Sequence, residues 1–132
     1  MKKTLAVLIG IFSLLGYSFR MYKPSKDIDT NILGVWRSIE DAHSELKFRK
    51  NGKCHFYYYG RQSDTFKYRI SHTNPSCDKN IRLDPSFRHL RLENVLDENE
   101  TYCYELVKLD SLHLEIRLLD RAKVMKYRKK SP

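Results

Sequence analysis

From Ser44 to Ile70, apolar and polar side chains trade places at every second residue, through three consecutive runs joined by two turn signals. A period of two belongs to a strand with one buried face, not to a helix, so this stretch confines the chain to antiparallel sheet. Leu46 and Phe48 alternate with Glu45, Lys47 and Arg49. Asn51-Gly52 then predicts a tight hairpin with both residues at positive φ. Cys54, Phe56 and Tyr58 alternate with Lys53, His55 and Tyr57; Gly60 opens a second turn; Phe66, Tyr68 and Ile70 alternate with Thr65, Lys67 and Arg69. Each run has one oily face and one basic face.

The pattern extends to both sides. A first strand is predicted from Asn31 to about Ile39 and a short one around Ile81 and Leu83. Further strands carry Leu90 and Leu92, then Tyr102, Tyr104 and Leu106, then Leu112 to Leu118. A last one, Ala122 to Arg128, has no obvious inward face, because Val124, Met125 and Tyr127 do not share a parity. Beyond the N-terminal segment no run keeps apolar residues at helical spacing over three turns. About eight or nine short strands linked by short turns predict an all-β fold, a single antiparallel up-and-down β-barrel over residues 31–128. Closure leaves no unpaired edge to template aggregation.

Residues 1–18 read as a signal peptide or an uncleaved anchor. Lys2-Lys3 precede an apolar run from Thr4 to Leu15, short for a membrane span, and Gly16-Tyr17-Ser18 offers a cleavage point. Residues 19–30 form a polar tether and 129–132 a basic tail. Ser71 to Asn80, with Pro75, is the longest interruption of the pattern and is expected to be the mobile loop. The product is expected to be periplasmic or secreted and monomeric, touching a membrane only through an uncleaved signal. Export permits disulfides. Of Cys54, Cys77 and Cys103, the first shares the inward parity of Phe56, whereas Cys103 lies between Tyr102 and Tyr104 and faces outward. That favours a Cys77–Cys103 bridge, with Cys54 a buried free thiol.

The chain has 25 basic and 16 acidic residues, a formal charge of +9, most of it outside the leader. Such a balance suits a solvated surface or an anionic partner, and export argues against nucleic acid. Catalysis has no support. The five histidines lack metal-ligand spacing, and no nucleophile elbow, phosphate loop or dinucleotide fingerprint occurs, so neither metal nor cofactor is expected.

Gly34-Val35-Trp36 on the first strand of an exported meander resembles the lipocalin superfamily, and more closely the small lipocalin-like domains of bacterial secreted proteins. The rhythm Phe48-x-x-Asn51-Gly52 and the run Tyr102-Cys103-Tyr104-Glu105-Leu106 into Leu112-x-Leu114 add to it. The resemblance implies that Trp36 closes one barrel end, with Arg128 or Arg121 across its ring, and that the interior takes a small hydrophobic molecule. The Thr-Asp-Tyr motif and the helix after the last strand are missing.

An eight-stranded barrel is either filled by its own side chains or holds one small ligand. Tyr58, Tyr68, Tyr104, Phe56 and Phe66 are the candidate lining residues, the tyrosine hydroxyls orienting a mostly apolar ligand. The alternative is a filled barrel that recognises an anionic glycan, lipid head group or protein through a basic wall of Lys47, Arg49, Lys53, Lys67 and Arg69, with Tyr57 and Tyr59 between them.

Overall fold

Strand pairing follows the two-residue alternation all the way round. The computed structural model describes residues 30–72, 83–119 and 121–131. Within these, eight strands run β1 (Gly34–Ser38), β2 (Ser44–Phe48), β3 (Lys53–Tyr58), β4 (Arg61–Ser71), β5 (Arg88–Asn94), β6 (Thr101–Leu109), β7 (His113–Leu118) and β8 (Val124–Lys129). Each pairs antiparallel with the next, and β8 returns to β1, so the sheet is a closed barrel. The fold class is the one that the alternation predicts. The leader, nearly all of the tether, Cys77 and Ile81 lie outside the described residues.

Register brings the oily positions together. Trp36 faces Leu46, which faces Phe56; Phe48 faces Cys54, which faces Phe66; Leu90 faces Tyr104, which faces Leu118. Trp36, Phe48, Cys54, Leu90, Leu114 and Ile116 are almost wholly withdrawn from water. A core of this kind supplies most of the stability, at about 25 cal/mol per Å² of apolar surface buried. Phe56 and Phe66 lie on the same, inner side.

Several local expectations need correction. The chain before Gly34 is a short 3₁₀ turn, Thr30–Ile32, rather than strand, and it places Ile32 at the core. At Asn51-Gly52 only Gly52 has positive φ (79°). The Gly52 amide donates to the Arg49 carbonyl and the Arg49 amide to that of Lys53, a longer turn with glycine in the left-handed position; Asn51 caps the Lys53 amide. The two-residue turn with paired positive φ is Tyr59-Gly60 (50° and 73°), where the Tyr59 ring stacks on His43 at 3.9 Å. Leu83 belongs to no strand. In β6 the register shifts between Leu106 and Lys108, which returns Leu109 to the inner face. In β8 the inward residues are Met125 and Tyr127, opposite Ile116 and Leu114, and Val124 points out.

One buried group lies on the wrong side of the wall. His89 faces outward by register, opposite Ser71 and Glu105, yet it is 0% exposed, and neither ring nitrogen has a hydrogen-bond partner among the described residues. Burial holds its pKa below the ordinary value, against the pull of Glu105 and Asp84. The unfolded chain therefore takes up a proton near pH 6.5 while the folded chain resists it, so stability is complete above that pH and falls as pH drops below it. His55, also held down, has the same sign. Thermal unfolding from pH 7.5 to 5 is expected to show a slope of up to about 1.4 kcal/mol per pH unit for each such histidine. His89→Leu should flatten it; an unchanged slope would clear His89 of the role.

Candidate functional site

The two barrel ends differ because different residues cap them. At one end the 3₁₀ turn folds under the barrel, and the Trp36 indole N–H donates to the Ile32 carbonyl at 2.7 Å. Lys129 lies across the indole, its ammonium 4.9 Å from the ring centre, and donates to the Asn31 carbonyl at 3.1 Å. Neither expected arginine does this. Arg128 points out of β8 toward Arg37 and His113, and Arg121 stands in the β7–β8 turn at the other end. Gly34 permits the closure: its φ is 118°, and a Cβ there would sit 3.2 Å from the Lys129 stem. Gly34→Ala is therefore expected to cost about 1–3 kcal/mol in denaturant unfolding.

This end is also packed. Phe48 and Tyr68 meet edge to face at 5.1 Å, and the Tyr68 hydroxyl donates to the Arg49 carbonyl at 2.7 Å. Tyr68 thus has its polar group satisfied by the chain itself. Phe66 is core, against Tyr102, and Phe56 packs at its margin. Cys54 sits beneath them, its thiol pushed far up by burial, which leaves it inert at neutral pH.

The opposite end is open. Ser38, Ser44, Leu118, Met125 and Tyr127 line a pocket of about 310 Å³ together with the charged residues Glu40, Asp41, Arg121, Lys123 and Lys126. That volume is at the lower limit of small-molecule sites. Tyr104, opposite Leu118 in the register, stands beside it. Burial raises the Tyr104 phenol strongly, with Tyr127 adding to the shift, and burial pushes Tyr127 up to about 12. Neither hydroxyl has a hydrogen-bond partner among the described residues, and neither is among the buried polar atoms without one, so both keep contact with solvent at the mouth. Comparisons with family models, curated proteins and solved structures find no match.

The loops around this mouth carry most of the large apolar side chains left in water, namely Ile39, Tyr58, Tyr59, Val95 and Leu96, the last 95% exposed. Tyr58 has the inward parity but sits at the rim, 46% exposed, so it stands at the mouth rather than in the interior. Tyr127 and Met125 escaped the sequence reading because the mixed parity of Val124, Met125 and Tyr127 hid their face. The register of β8 against β7 resolves it. No group of three or more metal-ligating side chains converges among the described residues.

On the outer wall, Arg49, Lys53, Lys67 and Arg69 are exposed and Lys47 is half-buried. Tyr59 does not stand among them; it is at the mouth, stacked on His43.

Proposed function

We propose that this protein is a non-catalytic, exported, lipocalin-like barrel that receives a small, mostly apolar molecule through its open mouth. The observation that carries this reading is the pocket of about 310 Å³ at the open end, with the Tyr104 and Tyr127 hydroxyls beside it and not committed to any partner among the described residues. A hydroxyl that the chain leaves uncommitted can pair with a ligand's polar end, for about 0.5–1.5 kcal/mol. Ser38 and Ser44 add hydroxyls at the mouth, and the apolar loop tips give an oily molecule a surface to meet before it enters. The closed eight-stranded architecture, the Gly34-Val35-Trp36 corner and the cation over Trp36 support the lipocalin-like assignment. In this reading the leader directs the chain to the periplasm or outside the cell, and Cys103 pairs with Cys77.

Native mass spectrometry of protein purified from its own source tests the proposal. The expected result is a retained small molecule that leaves on denaturation. Tyr104→Phe and Tyr127→Phe should each weaken its retention by about tenfold, the loss of one hydrogen bond, with little change in melting temperature. A protein that carries nothing, and binds no member of a panel of fatty acids and sterols, would sink the reading.

A further inference from the structure

Five cations on the outer wall have no acid to answer them. Lys47, Arg49, Lys53, Lys67 and Arg69 make no ion pair among the described residues. Elsewhere on the barrel several cations are neutralised, although Lys50, Arg61, Arg121, Lys126 and Arg128 also stand without an acid among the described residues. Arg37 and Lys130 hold Glu45 at 2.9 and 3.3 Å, Arg117 holds Glu105, and Lys123 holds Glu40 at 2.8 Å. The acids that border the wall are already engaged, for Glu93, opposite Lys67, is bound by Arg91 at 3.0 Å, and Glu45 by the two cations just named.

Register turns three of the five into a row. The Arg49 amide donates to the Lys53 carbonyl across the β2–β3 turn, and Lys53 stands directly opposite Lys67 on β4. Neighbouring strands are about 5 Å apart, so the row presents a cation at each such step, with Lys47 and Arg69 beside it. Like charges directly opposite one another destabilise a sheet, and this sheet keeps them. Their field is felt locally: His55, opposite Lys47, is held below its ordinary pKa by burial and then by Arg49, Lys53 and Lys47.

What the wall lacks narrows the partner. The six exposed large apolar residues, Ile39, Tyr58, Tyr59, Val95, Leu96 and Leu112, all lie off the row, so nothing on it inserts into a bilayer. Of the rings on this outer face, His55 lies opposite Lys47 and Tyr57 lies beyond it, opposite Glu45, so no tyrosine, phenylalanine or tryptophan stands in the row of Arg49, Lys53 and Lys67 to offer bases a stacking platform. We infer that Arg49, Lys53 and Lys67, flanked by Lys47 and Arg69, form a binding strip for a linear anionic polysaccharide, whose repeated acidic groups supply the counter-charge that the fold omits. This strip is separate from the mouth, and it stands whether or not the interior is occupied.

The test titrates the full chain with dextran sulfate, with neutral dextran as control, at several salt concentrations. Dextran sulfate should bind, neutral dextran should not, and affinity should fall steeply with salt as counterions are released. Replacing Arg49, Lys53 and Lys67 together by glutamine should weaken binding by at least about tenfold and slightly raise the melting temperature, because opposed like charges are removed. Replacing Lys108, Lys126 and Arg128 by glutamine removes the same charge elsewhere and should change affinity by less than about twofold. Bound polyanion should also move the His55 titration upward, by masking Lys47, Arg49 and Lys53; Thr65 and Gln62, which hydrogen-bond its Nδ1, are uncharged. Equal losses in the two triple variants would reduce the strip to net charge and overturn the proposal. Tighter binding to phosphatidylglycerol vesicles, or to a single-stranded oligonucleotide of matched charge, would overturn it in favour of a membrane or a nucleic acid.

Discussion

Trp36→Ala is expected to cost about 4 kcal/mol, the largest effect of any single substitution considered, because it removes a wholly buried indole from the closed end of the barrel. Two losses combine. The cavity left beneath the 3₁₀ turn adjoins Ile32, Leu46 and Lys129, and the Ile32 carbonyl loses its donor. For a domain of this size the melting temperature should fall by roughly 15–30 °C. Trp36→Phe keeps most of the apolar area and drops only the N–H, so it should cost about 1–2 kcal/mol. Lys129→Met keeps the aliphatic stem on the ring and drops the charge, for less than about 1 kcal/mol. Circular dichroism melts of the three variants check that order. If Lys129→Met proves as damaging as Trp36→Ala, the indole is not the plug.

The second large effect is redox-dependent. The proposed Cys77–Cys103 bridge would close about 26 residues and stabilise by ~3 kcal/mol in the chain-entropy model. Cys54 is the free thiol and is buried, whereas Cys103 is engaged and faces outward opposite Arg91. Reducing the protein, or replacing Cys103 with serine, should therefore lower the melting temperature by roughly 10–25 °C. Thiol labelling of the oxidised protein should modify Cys54 alone, and only after unfolding, since burial keeps that thiol protonated and out of reach. Three labelled cysteines in unreduced, unfolded protein would remove the bridge.

The architecture was legible because it rests on a local quantity. Whether a side chain points in or out of a sheet depends on parity along one strand, so Leu46, Phe48, Cys54, Phe66 and Ile70 are placed by reading alone, and all are buried. The mouth was less legible. Tyr104 is visible by parity, but Tyr68 and Tyr58, with the same parity, end respectively in a hydrogen bond to the chain and at the rim. Parity names a face; it does not say at what height along the barrel axis a residue sits.

What the sequence determined by itself is the two-faced strand, repeated until it must close, and the cations sharing one outer face. Tertiary structure alone decided which cation covers Trp36, because Lys129 reaches it only through the β8–β1 register that closes the barrel, a pairing between residues more than ninety positions apart. It also decided the return of Leu109 to the inner face after a register shift, the burial of outward His89, and the isolation of the Tyr104 and Tyr127 hydroxyls. The physical reason is common to all four: alternation is a property of one strand, whereas register, burial and hydrogen-bond satisfaction are properties of strands brought together.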